Sequence, residues 1–586
     1  VHTRDVRQLL IDERVLKPGD RFPSVELPRE YHDWFPAMLG ELALCFQQKG
    51  GHRVSHYERA ENHLGVPSVL LVEYAHLDVG MTAVKLAAEI MLGTRRSVTE
   101  PFRQFVNFAR QRMLPQETGA LIRAAAAKGI PVSQLEHQPL SQGLGRKDAV
   151  RPNGLVRFGH GSANRVLDGT FCLDRSSDYL RALRKNPGLR ERLLLELALP
   201  TAGSGQQVPS HLVLVCGTAT LAVVLRKGSP HSMAENIHDS TRKMLMEIGG
   251  RCAEIPVAVY LHASDISQPL TEQDGVITGF SLAPDLAEIS AGPNIPGLLD
   301  EFANLVIGSL FPIPEQARMP IFAVTGTNGK TTTCRLIAWI LKQAGYRPGL
   351  VSTDGVYLDG KKISHEDASA FIGHARVLAS KAVNAAVLEN HHTGIAIRGF
   401  AFDHCDVGIC LNVTHDHILE GEIETVEHMA RIKSAVPARA SKAAVLFADN
   451  SHTRGMIGDM GADELGLVSL ETGHPELEEL LNGHAGRICV LESSAGTERM
   501  VFYNGSKRIE MPELASIPIT HAGTARFMVS NAMHAALATW QFGISPEVIA
   551  DALMRFQPGR DTTPGRLNVI DELGFRIIVD YGHNPD

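Results

Sequence analysis

A chain of 586 residues is too long for one hydrophobic core, and at about 150 residues per domain it is expected to hold three or four. Hydrophobic residues make up 44% and charged residues 21%, which excludes a disordered or fibrous chain, and a net charge of -8 without clustered Lys and Arg argues against a broad nucleic-acid-binding surface. The Cys at 45, 172, 216, 252, 334, 405, 410 and 489 form no C-x-x-C pair, so neither a disulfide framework nor a zinc knuckle is written in their spacing; a reducing cytoplasm fits, with no signal pattern and no apolar run of membrane-spanning length.

The first stretch predicts a helix around Trp34 to Gln48, an apolar strand from Ser68 to Tyr74 and a helical period from Met81 to Ile90, a small α+β domain without a catalytic constellation. A helix over Pro115 to Lys128 leads into the turn and strand Gly129-Ile130-Pro131-Val132, and the polar stretch Gln138 to Gly154 reads as a linker or surface loop. Residues 151 to about 312 then alternate strands such as His211 to Val215 with helices such as Ser240 to Ile248, a second α/β block. Pro312, Pro314 and Pro320 punctuate the passage into the apolar strand Ile321-Phe322-Ala323-Val324. From there the strands Ala385 to Leu388, Val407 to Leu411 and Ala443 to Phe447 alternate with helical segments, the pattern of a mostly parallel sheet with crossover helices.

The strand at 321 runs into Gly326-Thr327-Asn328-Gly329-Lys330-Thr331-Thr332 and then into a helix expected from Thr332 to Lys342. Glycines let backbone N–H groups approach phosphate oxygens, and the helix N-terminus adds its positive end. Lys330 is expected to reach the β- and γ-phosphates and the Thr331 hydroxyl to ligate Mg²⁺. This loop therefore predicts ATP with Mg²⁺ as its ligand.

The form T-G-T-N-G-K-T-T, with two residues between the glycines, resembles the Mur ligase family, which joins an amine to a carboxylate using ATP. The resemblance extends over most of residues 316 to 586. It implies that Glu389, ending the strand Ala385 to Leu388, ligates the Mg²⁺ that bridges ATP and substrate. It implies further that His417, in the series Asn412 and Asp416-His417-Ile418, ligates a second Mg²⁺, and that Lys433, expected on a helix from Thr425 to Ala435, is carbamylated by CO₂ and helps to hold that metal. Asn531 matches a nucleotide-contacting Asn, Arg566 an Arg that approaches the phosphates, and Asp580 an Asp that contacts the ribose. The stretch Asp580-Tyr581-Gly582-His583-Asn584-Pro585 is close to the family's D-Y-A-H-N-P.

Within that group, Ser352 to Gly360, Arg398 to Asp403 and Cys405 to Gly408 resemble the cyanophycin synthetases, which build a polymer of aspartate carrying arginine branches. The resemblance continues through Val72-Glu73-Tyr74, Lys128 to Pro131, Phe158-Gly159-His160-Gly161, Asp265 to Leu270 and Leu282-Ala283-Pro284. It implies an N-terminal domain over 1–112, a shortened ATP-grasp-like region over 113–315, a Mur ligase central domain over 316–567, and over 568–586 the start of a C-terminal domain, so that the sequence is expected to be a fragment. Only about 100 residues separate the entry and exit of the ATP-grasp-like region, too few for the two subdomains that close over a nucleotide. Tyr260, Gly279 and Ser281 stand where that family has Asp, Glu and Asn, and they cannot supply the hard oxygen ligands of Mg²⁺, so this region is expected to be non-catalytic. In the Mur-like part, Asn390-His391-His392-Thr393 replaces Thr-Ala-Arg-Gly, and Phe447 and Met528 replace Asn at two nucleotide-side positions.

The fold expected is an α/β multidomain protein with a Mur ligase-type P-loop domain behind a small α+β domain and an ATP-grasp remnant. The activity implied is ligation of an amino acid to a carboxylate or acidic-peptide acceptor through an acyl phosphate, in the cytoplasm, by a homo-oligomer without nucleic-acid or membrane partners. The alternative is a non-catalytic nucleotide-binding homologue or regulatory subunit. A P-loop ATPase or GTPase unrelated to ligation would make Glu389, His417, Lys433 and Arg566 coincidences.

Overall fold

The structure, a computed structural model, describes residues 31–60, 69–94, 97–113, 116–134, 156–167, 178–201, 209–216, 219–224, 233–234, 237–252, 256–282, 297–364, 371–415, 425–471, 477, 479, 486–494, 496–571 and 575–582. The chain divides into two units, residues 1–119 with 139–154, and residues 120–138 with 155–586. In the first unit the antiparallel strands β1 (Tyr57–Ala60) and β2 (Val69–Val72) accompany helices Tyr31–Lys49, Leu77–Met91 and Thr99–Arg110. These bury Met38, Leu42, Ala83 and Phe105, with Phe46 against Phe102 at 5.2 Å. The expected linker from Gln138 to Gly154 lies outside the described residues.

The second unit contains two larger sheets. Among the described residues the first has five antiparallel strands in the order β10 (Val276–Ser281), β9 (Val257–His262), β6 (His211–Cys216), β7 (Ala219–Val224) and β8 (Met233–Ala234). All of β6 is buried because both faces are covered. Leu121, Phe302 and Val306 pack on Leu212 and Leu214, and Leu245 and Ile248 of helix Asp239–Arg251 pack with Val213 and Val215. Tyr260 and Gly279, two of the departures from the ATP-grasp pattern, are direct partners across β9 and β10. A small antiparallel sheet, β3 (Val132–Gln134), β4 (Val156–Phe158) and β5 (Arg165–Leu167), lies in the same unit.

Among the described residues the second sheet has eleven strands. Its central strand β11 (Ile321–Thr325) has β15 (Ala385–Glu389) and β12 (Pro348–Ser352) on one side, with β16 (Cys405–Cys410), β17 (Ala440–Phe447), β18 (Glu464–Ser469) and β19 (Gly486–Ser494) on the other, all parallel. Antiparallel strands complete both edges, β13 (Gly355–Leu358) and β14 (Lys361–Ser364) beyond β12, and β20 (Thr497–Asn504) and β21 (Lys507–Glu513) beyond β19. The expected mostly parallel sheet is thus present as the middle of a mixed one. The β13–β14 turn is Asp359-Gly360, both with positive φ (49° and 83°), the geometry that a two-residue hairpin requires. Helices Lys330–Gln343 and Arg526–Phe542 bury Leu336, Ile337, Val529 and Ala532 against Phe322 and Val324. Because order reverses on either side of β11, the loop after that strand opens at a switch point, where α/β sheets place their ligands.

Among the buried histidines of this unit, His534 and His160 have pKa values displaced far below the ordinary one. His534 donates from Nδ1 to the Ser530 carbonyl at 2.8 Å, and burial lowers its pKa to about 4. His160 falls to about 3, chiefly through burial and then through the nearby charges of Arg157 and Arg318. Both are neutral in the folded chain, whereas the unfolded chain takes up a proton below the ordinary value near 6.5. Their contribution is therefore fully present above about pH 6.5 and is lost as pH falls toward the folded values. Thermal unfolding at pH 7 and pH 5 should show a loss of about 2 kcal/mol for each histidine. His534→Gln should lessen that loss, and an unchanged pH dependence in the variant would show that His534 does not contribute.

Candidate active site

Strands β15, β11 and β16 run parallel and end at one edge, bringing the residues that follow them together. After β11 the chain turns through Gly326 and Gly329, and Gly329 has φ 85°, so the helix starts at Lys330, two residues earlier than expected. A Cβ at Gly329 would overlap Oδ1 of Asn531, a buried residue of helix Arg526–Phe542. Asn412, just beyond β16, braces the loop: its Oδ1 accepts from the amides of Thr327 and Asn328 at 3.0 and 2.8 Å. Lys330 folds back so that Nζ donates to the carbonyls of Gly326 and Thr327 at 2.9 and 2.7 Å. Thr332 is buried in the first helical turn.

Glu389 ends β15 with 1% of its surface exposed. Its Oε2 accepts from the Thr331 hydroxyl at 2.9 Å and the Thr353 amide at 3.2 Å, and its Oε1 accepts from the Thr353 hydroxyl at 2.8 Å. Among the described residues no Lys or Arg forms an ion pair with this carboxylate. A buried anion held only by neutral donors lacks the compensation that a buried charge requires, and a hard cation taken up by Glu389 and Thr331 would supply it. The residues present therefore fit Mg²⁺.

Lys433, on helix Val426–Ser434, is 2% exposed, and its Nζ donates to the Thr327 hydroxyl at 2.8 Å. Thr425 caps that helix by accepting from the His428 amide at 3.1 Å. The structure thus brings Lys433 to the loop; His417 and Asp416 lie outside the described residues. A cleft beside the loop is lined by Gly326, Thr327, Lys330, His391, His392, Met429 and Lys433. The centroids of the two imidazoles are 4.1 Å apart, and His392 is the residue that replaces the Arg of Thr-Ala-Arg-Gly.

Arg566 and Asp580 stand further out. The Arg566 guanidinium lies 4.0 Å from Asp354 and 4.7 Å over the Tyr581 ring, and Asp354 also pairs with Arg335 of the loop helix at 2.9 Å. Asp580 accepts from the amides of Leu567 and Gly582 at 2.6 and 3.1 Å, which ties it to the segment after Arg566. Of the two hydrophobic replacements, Met528 takes a contact from Asn531 Nδ2 at 3.9 Å and Phe447 packs on the His534 ring at 5.5 Å.

Sequence reasoning missed Thr353, the bracing role of Asn412, the Arg335–Asp354 pair, and His374, whose Nε2 donates to the Glu389 carbonyl at 2.8 Å. Thr353 follows β12 and Asn412 comes just after the end of β16, at the edge that carries the loop, and that position is the signal that would have found them.

The phosphate-type loop, the buried carboxylate at the end of the adjacent parallel strand and the buried lysine on a crossover helix lie within residues 324–539, which match the Mur ligase middle domain family. Among individual proteins, the chain is 37% identical over 326 residues to a cyanophycin synthetase of Geminocystis herdmanii, covering 55% of this chain and 36% of that protein. It is 34% identical over 379 residues to a cyanophycin synthetase of Crocosphaera subtropica, covering 64% and 42%. It is 25% identical over 297 residues to UDP-N-acetylmuramoyl-L-alanyl-D-glutamate--2,6-diaminopimelate ligase 1 of Clostridium acetobutylicum, covering 48% and 55%. The chain thus spans less than half the length of these cyanophycin synthetases.

A fluorescent ATP analogue should bind Gly329→Ala at least about 30-fold more weakly than the unaltered chain, a loss of about 2 kcal/mol. Adding Asn531→Gly should recover part of the loss by removing the overlap but not the backbone strain. Equal binding by Gly329→Ala would show that the loop does not hold phosphate in this geometry.

Proposed function

We propose that residues 316–567 form an ATP-dependent ligase domain that activates a carboxylate as an acyl phosphate and joins it to the amine of an amino acid. This activity follows the resemblance to the Mur-like, arginine-adding half of cyanophycin synthetase. The observation that carries it is the buried Glu389 carboxylate, 2.9 Å from the Thr331 hydroxyl at the start of the loop helix and without an Arg or Lys ion-pair partner among the described residues.

The phosphates of ATP would lie along Gly326 to Thr331, with Lys330 leaving its two loop carbonyls to meet them. Thr331 and Glu389 would hold Mg²⁺, which when bound would supply positive charge against the developing negative charge of the transferred group. Lys433, carbamylated by CO₂, and His417 are the proposed holders of a second Mg²⁺. Lys433 reaches the loop through the Thr327 hydroxyl and lines the cleft beside it.

The acceptor enters past His391 and His392, and its carboxylate oxygen attacks the γ-phosphorus as ADP departs. The amine nitrogen then attacks the acyl carbon, the carbon–oxygen bond to phosphate breaks, and an amide and phosphate result. The protein's part is to position three reactants and to hold charge where it develops. Arg566, no closer than 4.0 Å to Asp354, is assigned to the phosphates when nucleotide is bound, Asn531 to the nucleotide beside Gly329, and Asp580 to the ribose.

The four domain assignments are part of this reading. Residues 1–112 take the N-terminal role. Residues 113–315 take that of a non-catalytic ATP-grasp remnant, supported by Tyr260 facing Gly279 where acidic ligands are expected. Residues 568–586, with the paired strands β22 (Asn568–Ile570) and β23 (Ile577–Val579), begin a C-terminal domain. An acidic peptide and an amino acid are the proposed partners, in the cytoplasm and in a homo-oligomer; among the described residues no helix is long and apolar enough to cross a membrane.

Phosphate release from ATP should require both an acidic peptide and an amino acid, arginine being the first to try. Lys330→Ala and Glu389→Gln should each lower it at least about 100-fold, the loss typical of a group that stabilises the transition state. Release that is indifferent to both co-substrates would mark an ATPase, and ATP binding with no release under any condition would contradict ligation.

A further inference from the structure

Glu389 is held by its backbone as well as by its carboxylate. His374 is 2% exposed on helix Phe371–Leu378, and its hydrogen bond to the Glu389 carbonyl fixes the ring tautomer with the proton on Nε2. The C-terminal end of that helix is gripped by a segment more than two hundred residues away in sequence, Val156–Asn164. Arg157 is 3% exposed, and its Nη1 donates to the Ala375 carbonyl at 3.4 Å, while its Nε has no hydrogen-bond partner among the described residues. No carboxylate pairs with it there either, so the negative end of the helix is the compensation this guanidinium has.

Asn164, 4% exposed, donates from Nδ2 to the Ala379 carbonyl at 2.6 Å and to its own Gly161 carbonyl at 2.7 Å. Gly161, at φ 55°, approaches so closely that a Cβ there would lie 2.7 Å from the Val383 carbonyl oxygen and 2.9 Å from Met319 Sδ. Val383 is two residues before β15, and Glu389 is the last residue of that strand. One segment therefore holds both the helix that fixes the Glu389 carbonyl and the chain entering the strand that carries Glu389.

We infer that Val156–Asn164 is a positioning element for the ligase site: Arg157, Gly161 and Asn164 set the helix and strand, and through His374 they set where the Glu389 carboxylate points. The block whose own acidic ligands are replaced would thereby serve the neighbouring P-loop domain. The inference rests on the proposed reading in taking Glu389 as a Mg²⁺ ligand.

The test titrates a non-hydrolysable ATP analogue into the full chain by calorimetry, in Mg²⁺ and again in EDTA. Asn164→Ala, Gly161→Ala and Arg157→Gln should each weaken binding in Mg²⁺ by roughly 10-fold, as loss of an outer support for a metal ligand does, while binding in EDTA changes little. Arg157→Lys, which keeps a donor, should recover most of it. Amide exchange over residues 375–389 should quicken in Asn164→Ala without nucleotide present. His374→Ala should cause a similar loss, and the double variant with Asn164→Ala should be little worse than either alone, because both act through one helix. Equal losses in Mg²⁺ and EDTA, or additive losses in the double variant, would overturn the inference. Nucleotide binding by the unaltered chain that ignores Mg²⁺ would instead remove Glu389 as a metal ligand and the inference with it, an outcome distinct from variants that bind normally in a Mg²⁺-dependent chain.

Discussion

The hydroxyl of Thr331 on the carboxylate of Glu389 joins the end of one parallel strand to the start of the helix that follows its neighbour. Much of the site is arranged around that contact. Thr353, after β12, adds two more donors to the same carboxylate, and Asn412, after β16, holds the loop from the opposite side. The order of strands matters more here than any single side chain, because only a reversal on either side of β11 lets residues from β12, β15 and β16 converge on one loop.

The arrangement is costly for the fold alone. The polar side chains of Glu389 and Lys433 are each almost wholly buried, and Gly329 holds a backbone conformation that few other residues adopt readily. Sites that bind charged ligands are commonly less stable than a hydrophobic substitute would be, since their groups are arranged for the ligand. The large apolar core formed by helices Lys330–Gln343 and Arg526–Phe542 on β11, β17 and β19 supplies the rigidity that keeps those groups in place. Asn531 shows the two roles meeting in one residue: it belongs to a core helix and its side chain abuts Gly329.

What was legible in the sequence follows from distance along the chain. The strand, loop and helix from Ile321 to Gln343 are contiguous, so glycine spacing, Lys330 and Thr331 could be read together, and β15, β16 and β17 fell where their apolar runs predicted. Glu389 and Lys433 could be singled out only through the order of a family pattern, since a strand-end Glu and a helical Lys carry no signal by themselves. The helix start moved to Lys330 because Gly329 turns left-handed, a backbone choice that spacing does not specify. The contacts of Arg157 and Asn164 with residues 375 and 379 were invisible because they depend on how two sequence-distant blocks pack. His391 and His392 were visible as departures from a pattern, and only the structure shows them lining the cleft beside Lys330 and Lys433.

The central claim is that a carboxylate oxygen of the acceptor bonds to the γ-phosphorus of ATP before the amide forms. Oxygen-18 placed in the acceptor carboxylate tests this directly, with the released phosphate analysed by mass spectrometry in the presence of ATP, Mg²⁺ and the amino acid. An acyl phosphate requires that each phosphate formed with an amide carry one oxygen from the labelled carboxylate. Phosphate whose added oxygen comes only from water would contradict the account.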